Sequence, residues 1–232
     1  MATIAEKIQE QHERIAQACG QAARPVQSVT LLVVSKTQSP AAVQAAFEAG
    51  ERRFGENYVQ EGLDKIAELS ALRNQLEWHL IGPLQSNKTR PVAENFDWVH
   101  SVDRLKTAER LAEQRPSHLP PLNICLQVNI SAEASKSGLL PNEVAALAQA
   151  VQAMPRLRLR GLMAIPEAAT DFEAQRLPHR ALAKLMAELN QNLGLALDTL
   201  SIGMSADLEA AIAEGATLVR IGSAIFGARK QA

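Results

Sequence analysis

The sequence predicts a single-domain (β/α)8 TIM barrel with an extra N-terminal helix. Short apolar segments rich in β-branched residues alternate with helical segments along the chain. Eight such strands fit into 232 residues with no linker or low-complexity stretch between them. Alternating strands and helices are typical of parallel α/β folds, either a barrel or a doubly wound sheet. Eight strands in one undivided domain, residues 1–232, favour the barrel.

The first half of the chain opens with an amphipathic helix. Ile4, Ile8, Ile15 and Cys19 recur at helical spacing across residues 2–19, and Gly20 ends the helix. The predicted strands of this half are 29–35, 53–57, 76–82 and 97–102. The helices that follow them are predicted at 41–50, 60–73, 87–95 and 104–114.

The second half repeats this alternation. Strands are predicted at 122–130, 157–165, 199–203 and 217–222, and helices at 142–154, 172–193 and 207–215. Pro141 is suited to the first turn of its helix, where the missing amide hydrogen is not needed.

Lys36 follows the segment SVTLLVV (28–34), which has the composition of a strand buried on both faces. Ligands of parallel α/β folds bind at the carboxyl ends of the strands. A lysine withdrawn from water at that edge is suited to attack a carbonyl through its amine. Most lysines at strand ends are solvated loop residues, so position alone does not assign this role.

Glycines and small hydroxyl side chains follow the seventh and eighth strands, in SIGMS (201–205) and RIGS (220–223). Barrels of this kind often bind phosphate there through backbone amides and a short helix N-terminus. Arg220 has apolar neighbours, which indicates either a surface arginine or one aimed into the cavity at an acceptor. A lysine, a phosphate cradle and an arginine together are what pyridoxal phosphate requires.

Several separate motifs then identify a family. The chain resembles the pyridoxal phosphate homeostasis proteins, which are related to the barrel domain of alanine racemases. The resemblance covers almost the whole chain and rests on LVVSKTQ (32–38), RRFGENYVQE (52–61), WHLIGPLQSNK (78–88), VNISAEASKSGL (128–139), GLMAIP (161–166), GMSADLEAAI (203–212) and VRIGSAIFGAR (219–229).

The resemblance implies roles for eight residues. Lys36 would form the Schiff base with pyridoxal 5'-phosphate, Arg220 would face the pyridine nitrogen, and Asn57 would lie near the cofactor. The phosphate-binding positions would be Ser201, Met204, Ser205, Gly222 and Ser223. Threonine is equally expected at the position of Ser223. Lys136 belongs to a matching motif without a settled role.

The resemblance also implies a binding protein rather than an enzyme. Arg220, always protonated, disfavours a proton on the ring nitrogen and makes the cofactor a poorer electron sink. Racemases need a second base, which an additional domain and a dimer partner supply, and this chain ends after the eighth strand. We therefore expect intracellular cofactor homeostasis, by buffering or delivery, with effects on amino-acid balance. The alternatives are a pyridoxal-phosphate-dependent racemase or lyase, and a lysine-dependent aldolase that needs no cofactor.

Composition limits the remaining possibilities. A net charge of -1 and 3% aromatic residues argue against a nucleic-acid surface, and no segment reaches the length of a membrane span. Cys19 and Cys125 are predicted to be buried thiols of a reducing compartment, so we expect a cytoplasmic protein. No histidine spacing indicates a metal site. The expected partners are the cofactor and, transiently, apo-enzymes that use it; the expected state is a monomer.

Three acidic residues near predicted strand ends are candidate acids. They are Glu56, Asp103 and Asp207. Acidic residues at such places are usually helix caps or rim residues, and we predict that ordinary role for each of them.

Overall fold

Eight parallel strands close into one barrel in the computed structural model, and helices surround it. The structure describes residues 2–131, 133 and 136–227. Each strand pairs with its neighbour in chain order, and the eighth pairs back with the first. The predicted (β/α)8 barrel is therefore confirmed over the doubly wound sheet. Residues 132, 134, 135, 228 and 229 of the quoted motifs lie outside the described residues.

The strands are short and mostly buried. They are β1 (Thr30–Val34), β2 (Arg53–Glu56), β3 (Glu77–Leu80), β4 (Trp98–Val102), β5 (Leu122–Gln127), β6 (Leu157–Met163), β7 (Thr199–Ser201) and β8 (Leu218–Ile221).

The helices form the outer layer, and one of them precedes the first strand as predicted. They are α1 (Ile4–Gln21), α2 (Pro40–Glu48), α3 (Val59–Glu68), α4 (Thr89–Asn95), α5 (Leu105–Gln114), α6 (Val144–Gln152), α7 (Phe172–Leu193), α8 (Leu208–Ala213) and α9 (Ser223–Phe226).

Some predicted bounds were too long. The helix predicted over 60–73 ends at Glu68 and continues as a 3-10 turn, Ser70–Leu72, because the Leu72 amide bonds the Leu69 carbonyl three residues back. The strand predicted over 199–203 ends at Ser201, since Gly203 adopts a φ of 88° and turns the chain. The strand predicted over 122–130 ends at Gln127.

The main apolar core lies between the strands and the helices. The extra helix α1 joins it through Ile8, Ile15 and Cys19, and its first turn is closed by a capping box between Thr3 and Glu6. Cys19 and Cys125 are free and buried, as predicted. Within the described ranges, no helix has both the length and the apolar character to cross a membrane.

The barrel interior holds both apolar and polar side chains. Leu32, Val34, Ile81 and Leu218 form one apolar cluster, while Trp98, Cys125 and Met163 form another. The strands also carry buried polar side chains, among them His79, His100, Ser201 and Arg220. Buried polar groups need partners, so this interior is organised by hydrogen bonds as well as by packing.

Gly161 tests how tightly β6 and β7 are joined. A Cβ at this position would lie 1.7 Å from the Thr199 carbonyl oxygen, whereas a Cβ at Gly20 in α1 would meet nothing within 4 Å. We expect Gly161→Ala to lower the free energy of unfolding by about 3 kcal/mol or more. Gly20→Ala should leave it unchanged or raise it by up to about 1 kcal/mol. Urea unfolding measures both, and equal effects would contradict the described strand pairing.

Candidate functional site

One cavity opens at the carboxyl ends of the strands. Its volume is about 370 Å³, within the range of small-molecule sites. Its lining comes from the segments that follow β1, β2, β3, β6, β7 and β8, together with side chains of β1 and β8: Val34, Lys36, Thr37, Gln38, Asn57, Ile81, Ile165, Met204, Ser205, Ala206, Arg220, Gly222, Ser223 and Gly227.

Seven of the eight residues predicted for the site meet in this cavity, namely Lys36, Asn57, Met204, Ser205, Arg220, Gly222 and Ser223. Ser201 does not line it. The Ser201 side chain is fully buried inside the barrel, where its hydroxyl contacts Arg220 and His100. The structure therefore places Ser201 beneath the cavity, in contact with a lining residue.

Lys36 lies in a tight turn immediately after β1. The Gln38 amide donates to the Ser35 carbonyl at 3.0 Å, and Thr37 adopts a φ of 64°, which is rare for a β-branched residue. The Thr37 amide donates to Glu61 Oε1 at 2.5 Å. Such backbone conformations persist only when surrounding contacts impose them. The turn that carries Lys36 is thus held in shape from α3.

A buried ion pair supports the same turn from below. The Lys65 ammonium donates to the Ser35 carbonyl at 2.6 Å, to Glu56 Oε1 at 2.8 Å and to Glu61 Oε1 at 2.6 Å. The Ser35 hydroxyl donates to the same Glu56 oxygen at 2.6 Å. Burial raises the pKa of the Glu56 carboxyl, and Lys65 and Ser35 act in the opposite direction. Both residues that flank Lys36 are therefore fixed by one charged network.

The loop after β7 turns its carbonyl groups away from the cavity. Arg14 of α1 donates to the Ser205 carbonyl at 2.9 Å, and Gln175 of α7 donates to the Ala206 carbonyl at 3.3 Å. The Asp207 carboxylate accepts from the Met204 amide at 2.7 Å. The amides of Ser205 and Ala206 donate to no other described residue. Backbone amides in a short loop that have no partner among the described residues are suited to bind an anion.

Two glycines allow the strand ends to approach each other. A Cβ at Gly222, after β8, would lie 2.9 Å from the Val34 carbonyl oxygen of β1. A Cβ at Gly82, after β3, would lie 2.2 Å from the Asn57 carbonyl oxygen. Glycine at both positions thus lets Lys36, Asn57 and the loop after β8 line one cavity.

Arg220 forms part of the cavity floor and is nearly fully buried. Its Nη1 donates to the carbonyl and, at 2.9 Å, to the hydroxyl of Ser201, and its Nη2 donates to the Ala164 carbonyl at 2.9 Å. Burial lowers its pKa to about 10, while the Asp207 carboxylate acts in the opposite direction. The guanidinium is therefore charged at neutral pH.

A row of polar side chains continues below Arg220. His100 Nδ1 lies 2.8 Å from Ser201 Oγ, and His100 Nε2 lies 2.9 Å from His79 Nδ1. His79 Nε2 lies 2.9 Å from Glu77 Oε1 at the opposite rim of the barrel. Burial lowers the pKa of both histidines, and repulsion from His79 and Arg220 adds to the effect on His100. Both rings are therefore neutral at neutral pH.

Sequence reasoning missed part of the site. Thr37 and Gln38 line the cavity beside Lys36, and Ala206 lies between the predicted loop residues and Asp207. Adjacency to a predicted site residue was the available signal for all three. The prediction of an ordinary rim or cap role for Glu56 was wrong, because its carboxyl is fully buried against Lys65. No sequence spacing indicated that contact.

Fold and site together define a barrel of the alanine racemase type. The family model for "Alanine racemase, N-terminal domain" matches residues 6–230. A pyridoxal phosphate homeostasis protein of Pseudomonas aeruginosa is 62% identical over 229 residues, 99% of this chain and 97% of that protein. The protein of the same name from Escherichia coli K12 is 53% identical over 230 residues, 99% of this chain and 98% of its own length.

A solved structure agrees with these relatives. PipY of Synechococcus elongatus with pyridoxal phosphate bound has a TM-score of 0.82 and 37% identity, with 97% of this chain and 100% of that chain covered. The chain therefore belongs to the family of pyridoxal phosphate homeostasis proteins, whose barrel is the N-terminal domain type of alanine racemases.

Removing Lys65 tests the buried network beneath Lys36. The Lys65 side chain is 3% exposed and Glu56 is fully buried, so Lys65→Met leaves a buried carboxyl without its cation. We expect a loss of about 3–5 kcal/mol in the free energy of unfolding, with more than half recovered by Glu56→Leu in the same chain.

The matched control is Lys184→Met, in an exposed ion pair with Glu188 at 3.7 Å. This change should cost less than about 1 kcal/mol in the same urea unfolding measurement. A Lys65→Met protein as stable as the control would show that the buried ion pair does not support the turn.

The buried histidines predict acid sensitivity. Each has a folded-state pKa below its ordinary 6.5, so below pH 6.5 the unfolded chain binds more protons than the folded protein. The stability that they contribute is present above pH 6.5 and is lost on acidification, at up to about 1.4 kcal/mol per pH unit for each ring.

His100→Gln isolates this effect, since it removes one of the two rings. The free energy of unfolding of the variant should fall less steeply than that of the wild type between pH 6.5 and 5. The groups that face the rings are Glu77, Asp97 and Arg53 around His79, and His79 and Arg220 around His100. Parallel pH curves for the two proteins would count against neutral, buried rings.

Proposed function

We propose that this protein binds pyridoxal 5'-phosphate as a Schiff base on Lys36 and serves intracellular homeostasis of the cofactor. The observation that carries the proposal is the meeting of Lys36, Arg220 and two glycine-containing loops in one cavity of about 370 Å³. The names of its relatives and the ligand of PipY support the same cofactor.

The residues of the cavity fit this cofactor. Lys36 would hold it covalently, and the amides of Ser205 and Ala206 would bind its phosphate, together with the loop at Gly222 and Ser223. A side chain at Gly222 would press on Val34, so the backbone itself forms this edge of the cavity. Bound pyridoxal phosphate supplies an aldehyde that condenses with amines and a ring that withdraws electrons.

Asn57, Met204 and Arg220 complete the proposed site. Asn57 lines the cavity beside the end of β2 and offers both an amide donor and an acceptor. Arg220 would face the pyridine nitrogen, where its fixed positive charge disfavours a proton on the ring. Ser201, assigned to the phosphate by resemblance, serves instead in our proposal to hold Arg220 through its hydroxyl.

The lining also favours binding over catalysis. Among the described residues, Lys36 and Arg220 are the cavity's ionisable side chains. An arginine that stays protonated cannot exchange protons with a substrate, so of these two described side chains Lys36 could act as a base. A racemase needs acid–base groups on both faces of the substrate carbon. We therefore propose a cofactor carrier rather than a racemase, lyase or aldolase.

Homeostasis requires that the cofactor be released as well as bound. We propose that the protein acts in the cytoplasm as a monomer, buffers free pyridoxal phosphate and contacts apo-enzymes transiently to deliver it. Its effect on amino-acid balance would follow from the supply of those enzymes. The two free, buried cysteines support a reducing compartment.

Lys36→Ala tests the covalent anchor. Wild-type protein mixed with pyridoxal phosphate should show a visible absorption band, and borohydride should leave one pyridoxyl group on Lys36, located by mass spectrometry. The variant should lose both the band and the adduct but keep weak binding that inorganic phosphate competes away, because the backbone amides remain.

Lys106→Ala is the matched control, since Lys106 is exposed on α5 and does not line the cavity. It should behave as the wild type. A reduced adduct that persists in Lys36→Ala would place the anchor on another lysine. A wild-type protein that stays colourless and unmodified would reject the cofactor and favour the aldolase.

A further inference from the structure

The row of side chains below Arg220 is not used by the proposed binding site. It crosses the barrel interior from β8 and β7 to β4 and β3 through Ser201, His100 and His79, all fully buried. It ends at Glu77, whose side chain is 38% exposed at the opposite mouth of the barrel. Four hydrogen bonds of 2.8–2.9 Å join the five residues.

The two ends of this row have fixed hydrogen-bonding roles. Burial raises the pKa of Glu77, but the hydrogen bond from His79 and the charge of Arg53 act in the opposite direction, and the pKa lies below its ordinary value. Glu77 is thus a carboxylate at neutral pH, and a carboxylate only accepts hydrogen bonds. The guanidinium of Arg220 only donates them.

The fixed roles of Glu77 and Arg220 determine which atom carries each hydrogen-bonding proton between them. A neutral imidazole has one N–H and one acceptor nitrogen. His79 must donate to Glu77 from Nε2, so its Nδ1 accepts from His100 Nε2. His100 Nδ1 then accepts from the Ser201 hydroxyl, whose oxygen accepts from Arg220. If the hydrogen bonds ran in the opposite direction, His79 Nε2 would direct a lone pair at the Glu77 carboxylate.

We propose that Glu77, His79, His100 and Ser201 form a one-directional hydrogen-bond chain that positions Arg220 and couples the far mouth of the barrel to the ligand cavity. Glu77 is then a positioning residue for a site that it does not touch. The effect on the ligand rests on the proposed function, whereas the direction of the chain is a property of the protein without ligand.

The chain acts on Arg220 through the proton of Ser201. Because the Ser201 hydroxyl donates its hydrogen bond to His100, it presents only acceptor lone pairs to the guanidinium. Together with the Ser201 and Ala164 carbonyls, it holds Nη1 and Nη2 below the cavity floor. If Glu77 loses its charge, the hydrogen bonds of the chain can run in the opposite direction. The Ser201 hydroxyl oxygen would then accept from His100 as well as from Arg220, and its own proton would have no acceptor in the chain.

The environment of the rings supports neutral tautomers. Trp98 stacks on His79, with ring centroids 5.3 Å apart and planes 11° apart. The guanidinium carbon of Arg160 lies 4.8 Å from the centroid of the Trp98 ring. Neither neighbour accepts a hydrogen bond from the histidine nitrogens. Both nitrogens of each ring are therefore engaged within the chain itself.

Nitrogen-15 NMR of the ligand-free protein at pH 7 tests the direction, with resonances assigned through His79→Gln and His100→Gln. Both rings should carry their proton on Nε2. In Glu77→Gln, His100 should gain a measurable Nδ1–H population, although it does not touch residue 77. A wild-type His100 protonated on Nδ1 would overturn the proposal without any variant.

Asp198→Asn is the matched control. Asp198 lines the same mouth and pairs with Arg160 at 2.7 Å, but it makes no hydrogen bond to either histidine. Its loss removes the same charge and should leave the His100 tautomer unchanged. Equal changes of the His100 tautomer in the two variants would indicate a general effect of the lost charge. An unchanged His100 tautomer in Glu77→Gln would indicate that the two histidines are not linked to Glu77. Either result overturns the coupling.

The ligand side is measured separately by titration with pyridoxal phosphate. Glu77→Gln should bind about tenfold more weakly than the wild type and Asp198→Asn should bind equally well, since the expected loss is about that of one hydrogen bond. Equal affinity of Glu77→Gln and wild type would overturn the coupling to the cavity. Absence of binding in all three proteins, with the predicted tautomers present, would instead reject the proposed cofactor.

Discussion

The site depends on burying the positive charge of Arg220 inside the barrel. A buried charge is costly unless acceptors surround it, and here two backbone carbonyls and the Ser201 hydroxyl supply them. Ser201 in turn requires His100, and His100 requires His79, so one cation organises polar residues on several strands. Lys65 has a comparable role at the carboxyl ends of the strands. Its ammonium donates to Glu56, to Glu61 and to the Ser35 carbonyl in the turn that carries Lys36.

Much of the fold follows from local sequence patterns. The β-branched run before Lys36 and the helical periodicity of α1 and α7 are each visible within a few residues. The site could also be predicted, because parallel strands of a barrel end at one rim. The Lys65–Glu56 pair and the path from His79 to Ser201 were not predicted. Both depend on which side chains meet across the closed barrel, and strand register and tilt determine this.

Ser201 shows this limit most clearly. It belongs to the same SIGMS segment as Met204 and Ser205, yet it is the last residue of β7 and its side chain points inward below the cavity. Gly203 then turns the chain, so that only the residues beyond it reach the ligand side. A shift of a few residues along one segment thus separates a residue that supports Arg220 from those that line the cavity.

The site straddles the seam of the barrel. Lys36 follows β1 and Arg220 belongs to β8, and these first and eighth strands are neighbours with Leu32 opposite Arg220. During synthesis the cavity is therefore incomplete until the eighth strand has left the ribosome and closed the sheet. A ligand that binds only the closed barrel stabilises it over the unfolded chain by mass action, so the cofactor concentration would raise the free energy of unfolding of the finished protein.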